Sequence, residues 1–129
     1  MKKEFIIIAT IIFLVIIGNL VTQNYTKQCI ARVNENLGDL KENIKSSDRN
    51  NEKLNEKMTK LEDEWEEMQE KLAYYIEHDE LEKVETQIFL LKGHIEGELY
   101  EETLSEIEKC SFILEHIADK TALNIKNIF

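Results

Sequence analysis

Ile30-Ala31-Arg32-Val33-Asn34-Glu35-Asn36-Leu37-Gly38-Asp39-Leu40-Lys41-Glu42-Asn43-Ile44 carries its apolar residues at Ile30, Val33, Leu37, Leu40 and Ile44, in steps of three and four. That spacing returns to one side of an α-helix at each turn, so the segment reads as a helix with a single apolar stripe. The stripe resumes in the same phase at Leu54, Met58, Leu61, Trp65, Met68, Leu72 and Tyr75, with Ser47 and Asn51 at the missing seam positions. Two readings fit. One long helix runs through, and Asn51 sets the register of a self-associating stalk. Alternatively the chain breaks near Ser47, and Ser47 or Asp48 caps a second helix that folds back on the first. The break is preferred, because Ser46 to Asn51 is rich in poor helix formers and Trp65 is bulky for a parallel dimer but easily housed in a bundle.

Upstream, Phe5 to Val21 is the one long uncharged apolar run, preceded by Lys2 and Lys3. Its 17 residues rise about 26 Å as a helix, a little less than the ~30 Å hydrocarbon core of a bilayer. It is apolar around its whole circumference, unlike a domain helix, which keeps a polar face. A cleaved signal peptide is the competing reading, but neither Gly18-Asn19-Leu20-Val21-Thr22-Gln23 nor the residues before Cys29 offer a recognisable processing site. An uncleaved single-pass anchor is therefore expected, with the basic N-terminus cytoplasmic and the rest of the chain extracytoplasmic. The resulting division is residues 1–4 cytoplasmic, 5–21 a transmembrane signal anchor, 22–46 a juxtamembrane helix and 47–129 a helical bundle domain.

Downstream, a turn is expected at Glu77-His78-Asp79, with Asp79 capping a helix from about Glu80 to Ile95 and Glu82 adding charge at its positive end. That helix presents Leu81, Val84, Ile88, Leu91 and Ile95, widened by Phe89 and Leu90; Gly93 and Gly97 mark its fraying end and C-cap. A last helix from about Tyr100 to Ala118 presents Leu104, Ile107, Cys110, Leu114 and Ile117, broadened by Phe112 and Ile113. The tail Leu123-Asn124-Ile125-Lys126-Asn127-Ile128-Phe129 is apolar enough to dock rather than dangle. The fold class is all-α: an N-terminal transmembrane helix, a long coiled-coil-like helical segment and a C-terminal helical hairpin or bundle. The absence of proline and the four glycines among 129 residues agree with it.

With Lys2, Lys3 and Glu4 set aside, 14 basic and 25 acidic residues remain, a net charge of −11 outside the span. That sign argues against nucleic acid and against adhesion to anionic headgroups. Cys29 and Cys110 are too few for a disulfide framework, so free thiols are expected; a bond between them, or a Cys29 pair between two copies, are the lesser alternatives. Catalysis needs a nucleophile with an oriented base, or paired carboxylates about a cleft, and neither is legible. Glu62, Asp63, Glu64, Glu66, Glu67 and Glu70 read as a solvated helix surface around Trp65. His78, His94, His116 and Cys110 are zinc-competent residue types at non-motif separations; the histidines are read instead as helix-end residues and Cys110 as part of an apolar stripe facing a core. Trp65, Tyr74, Tyr75 and Tyr100 read as core packing rather than a ligand pocket. No catalytic, cofactor-binding or metal residue is expected, and no cofactor.

Tyr74-Tyr75-Ile76-Glu77-His78, Leu81-Glu82-Lys83-Val84, Leu91-Lys92-Gly93-His94-Ile95, Leu114-Glu115-His116-Ile117 and the closing Leu123 to Phe129 run together resemble an uncharacterised family of small membrane-anchored proteins of clostridial type, carried under a domain-of-unknown-function label. The resemblance covers the half of the chain from Trp65 onward and implies an N-terminal hydrophobic helix and an all-helical body without an assigned activity. The expectation is a non-enzymatic accessory or interaction protein of a membrane or envelope complex, binding a protein partner or itself. A secreted helical ligand-binding protein, released by cleavage, is the alternative.

Overall fold

The structure is a computed structural model that describes residues 1–46 and 49–128, with side chains through Ala122. Four helices, α1 (Lys2–Lys45), α2 (Asn51–Leu72), α3 (His78–Glu96) and α4 (Tyr100–Ile128), account for nearly all of it. The connections span residues 46–50, 73–77 and 97–99. Links this short make consecutive helices antiparallel neighbours. Each helix packs on the one before and after it, and α4 closes the ring against α1, while the diagonal pairs stay apart. The result is an up-down-up-down four-helix bundle.

α1 is one helix of 44 residues, about 66 Å long, but only its second half belongs to the bundle. Its stripe Ile30, Val33, Leu37, Leu40, Ile44 is buried, as are Leu54, Met58, Leu61, Trp65, Met68 and Leu72 of α2. The seam is thus spent inside one chain: the two stretches face each other across a bend. Segment 22–46 supplies the first bundle helix. The break falls where propensity is poorest, but the cap differs from expectation. Ser46 is extended and Asn50, not Ser47 or Asp48, is the N-cap of α2, accepting a 2.9 Å hydrogen bond from the Glu52 amide. Ser47 and Asp48 lie outside the described residues.

The second corner also shifts. α2 ends at Leu72, the turn occupies 73–77, and α3 starts at His78, so His78 and Asp79 are first-turn residues and Asp79 caps nothing. The turn changes the phase of the stripe: Ile76 is buried and Tyr75 sits at the edge. At the third corner Gly97 is the C-cap but keeps an ordinary φ of −82°, and Glu98 takes the left-handed conformation at φ 58°. The amide of Leu99 donates to the His94 carbonyl at 2.9 Å and that of Glu98 to Ile95 at 3.1 Å, satisfying the helix's last carbonyls. α4 runs ten residues past the expected Ala118, so His116 is an interior helix position. No glycine or proline follows Ala118 to stop it. The tail's backbone is helical to Ile128; how its side chains dock, and Phe129, lie outside what is described.

Both cysteines are free and buried. Cys29 belongs to the core, so a Cys29 pair between two copies would require the bundle to open. Burial pushes the Cys110 thiol up to about 12, with the nearby Glu106 charge adding to it. Burial likewise raises Cys29, against the opposing effects of its hydrogen bond to Tyr25 and the charges of Arg32 and Lys71. A thiol held protonated and covered is a poor nucleophile. Intact-mass measurement after N-ethylmaleimide treatment at neutral pH should therefore find no adduct on the folded protein and two adducts in urea.

Candidate functional site

Three places on the bundle combine polar groups with exposed surface. The first is its base, where α1 emerges from the apolar run. Thr26 Oγ1 lies 2.6 Å from Tyr75 Oη, and both hydroxyls reach the Thr22 carbonyl, at 2.8 and 3.1 Å. With one proton each, one hydroxyl donates to the carbonyl while the other donates to its neighbour. This triangle ties the α2–α3 turn to α1. Burial, then hydrogen bonding to Cys29, pushes the Tyr25 phenol up to about 12, and the Lys71 ammonium lies 5.9 Å from its ring centroid. Tyr74, next in the turn, points away and is 89% exposed.

The second is the groove between α2 and α3, about 400 Å³, lined by Glu62, Trp65, Gln69, Glu85, Phe89 and Lys92 among others. Trp65 is 4% exposed and its indole N–H has no partner. The acidic run is more than a solvated surface here: Glu62 accepts from Lys92 at 3.3 Å across to α3, and Glu64 accepts from Asn36 Nδ2 at 2.5 Å across to α1. The two glutamates flank the buried edge of α2, one toward each neighbour.

The third is the far end, where the two loops meet. Arg49 stacks 4.0 Å over the Tyr100 ring and donates from Nε to the Ile44 carbonyl at 2.9 Å; Tyr100 donates to Asn51 Oδ1 at 2.5 Å, and Asn51 Nδ2 donates to Glu98 at 2.5 Å. Asn51, read from sequence as a register-setting seam residue, instead clasps the two loops.

The sequence-level candidates do not assemble. Among the described residues no group of three or more His, Cys, Asp or Glu side chains is placed to hold a metal ion. His78 and His116 are exposed, while His94 is half-buried in the last turn of α3. The four aromatic residues scatter: Trp65 in the core, Tyr74 and Tyr75 at the base, Tyr100 at the far end. Sequence reasoning missed Glu80. It is 8% exposed, and its Oε1 meets Lys120 at 3.3 Å and Lys83 at 3.5 Å. Only the i,i+3 spacing to Lys83 was legible; Lys120 comes from another helix.

Burial acts to raise the Glu80 carboxyl, but the hydrogen bond and charge of Lys120, with Lys83, outweigh it and hold the group below the usual carboxylate range. A lowered folded-state value stabilises above the unfolded pKa and is lost as pH falls through the lowered one. Glu80→Gln should cost roughly 1 kcal/mol near neutral pH, since Lys120 is half-exposed and screened. In acid the two proteins should converge, as read by melting temperature against pH.

Residues 20–128 match the family model described as domain of unknown function 4363. The chain belongs to this family. No curated protein and no solved structure matches the chain. The region matched to domain of unknown function 4363 begins at Leu20 and takes in the bundle half of α1, so it spans the whole four-helix bundle rather than its last helices; most of the apolar run lies before it.

Proposed function

We propose that this protein is a single-pass membrane protein with a cytoplasmic N-terminus, whose acidic four-helix head stands outside and acts through protein contacts, as a non-enzymatic accessory subunit of a membrane or envelope complex. One observation carries the reading: α1 contains an 18-residue stretch with mean hydropathy 2.8, none of it buried, continuous with a bundle helix. Apolar side chains at that density are not left in water. Orientation rests on Lys2 and Lys3. Contact surfaces for a partner are offered by Phe89 on α3 and Phe112 on α4, 74% and 69% exposed on a head whose other large groups are mostly buried.

Alkaline extraction of membranes, protease treatment of intact spheroplasts and photo-crosslinking from positions 89 and 112 test this. Full-length chain in the pellet, a head digested from outside, and discrete crosslinks to an envelope protein are expected. Full-length chain in the soluble fraction overturns the anchor, and a mature protein lacking the apolar run replaces it with the secreted alternative. A head that yields no crosslink and does not self-associate overturns the interaction role.

A further inference from the structure

We infer that the base of the bundle is itself a lipid-contact surface, sunk into the membrane interface around the end of the anchor; this rests on the anchor reading above. Length supplies the first reason. Phe5 to Val21 rises about 26 Å, short of a ~30 Å hydrocarbon core even if all of it is free to cross. It is not all free. Asn19, inside the apolar run, is already half-buried with its Nδ2 enclosed, while Leu20 and Val21 beside it are 61% and 62% exposed. Asn19, Thr22, Gln23 and Thr26 lie on one side of α1, so the covered stripe of the bundle begins two residues before the run ends. Fourteen residues, Phe5 to Gly18, are left free on all sides, about 21 Å of helix. The remaining thickness is met by lowering the base, or by thinning the bilayer at a cost for each ångström.

The base has the residues for it. Tyr75 donates to the carbonyl of Thr22, one residue past the run, so the α2–α3 turn sits at the depth where the span ends. Tyr74, 89% exposed in that turn, has the amphipathic ring that favours the headgroup layer. α4 descends on α1 with Ser111 bonded to Asn34 at 3.0 Å. Continuing that antiparallel register at equal rise puts Leu123, Ile125 and Ile128 about level with Thr22, Leu20 and Ile17. The apolar end of the chain therefore arrives beside the anchor at hydrocarbon depth. At the same end Glu77 and Asp79 stand with Lys71 and Lys120, the latter paired to Glu77 at 3.6 Å, so charge does not favour anionic headgroups and the contact is aromatic and apolar, and independent of salt.

The test uses the full chain in phosphatidylcholine vesicles, with nitroxides at Ile12→Cys, Tyr74→Cys, Ile125→Cys and Glu98→Cys in a Cys29→Ala, Cys110→Ala background, and compares relaxation by oxygen with relaxation by a water-soluble nickel chelate. Position 12 should be strongly oxygen-favoured and position 98 aqueous. Positions 74 and 125 should show a ratio several-fold above that at 98, with 125 the deeper and neither changed by salt. An aqueous ratio at 74 or 125 with position 12 in lipid overturns the inference and leaves the anchor intact; an aqueous ratio at 12 defeats the anchor reading itself. Should the cysteine-free background lose its helical circular dichroism, Tyr74→Trp in the native chain replaces it. Brominated lipid should quench the added indole, and a quench no greater than that of Trp65 alone overturns the inference.

Discussion

A chain lacking residues 1–21 folds into the same bundle, passes into solution and loses carbonate-resistant attachment almost completely. The expectation follows from where the core begins. From Phe5 to Val21 every large apolar side chain is exposed, and the deeply buried residues of α1 start at Thr26. Removing the run therefore deletes no buried apolar side chain, only half-buried Asn19, and α1 can still start at Thr22, whose carbonyl accepts from Thr26 and Tyr75. Circular dichroism per remaining residue and the cooperativity of the melt should match those of the full chain in detergent. The apolar end of α4 stays, so weak binding to vesicles that carbonate removes is compatible with this result. A truncated chain that is helical only in detergent would mean instead that anchor and head form one folding unit.

How far the fold was legible depends on which interactions are local. The stripes on all four helices were readable because periodicity is a property of the chain alone, and buried Leu37, Leu40, Leu61, Leu81, Leu91 and Leu114 all sit on them. Corners were misplaced by a few residues, each for a physical reason. Ser47, Asp48 and Asn50 are nearly equivalent as cap residue types, so propensity alone does not choose among them, and Asn50 is the N-cap of α2. At the third corner, glycine was the natural candidate for a left-handed residue, yet Glu98 adopts it, where its carboxylate meets Asn51 from the opposite loop. That contact spans 47 positions in sequence, and nothing local announces it. The candidate site was hardest to read for the same reason. Tyr75 with Thr26, Glu80 with Lys120 and Arg49 with Tyr100 are each pairs from distant parts of the chain, a turn or helix meeting another helix, brought together only once the bundle has folded.

Removing α1 altogether should abolish folding, and this decides whether the first helix is a stalk or a wall. A chain of residues 49–129 keeps α2, α3 and α4 but loses buried Ile30, Val33, Leu37, Leu40 and Ile44. Five such side chains at ~1.5 to 3 kcal/mol each amount to roughly 8 to 15 kcal/mol, before the ordering cost of α1 is returned. The whole net stability of a domain this size is about 5 to 15 kcal/mol. The deletion also uncovers the faces of α2 and α4 that α1 packs against. The truncated chain should therefore show reduced helicity and no cooperative urea transition, whereas Leu40→Ala in the full chain, at a position with no exposure, should keep the transition and lower its stability by about 2 to 5 kcal/mol. If residues 49–129 melted cooperatively, three helices would suffice as a core and the N-terminal helix would be only a support. The closed ring predicts otherwise, because α1 and α4 meet along a seam that no other helix can reach: α2 lies diagonal to α4, and α3 diagonal to α1.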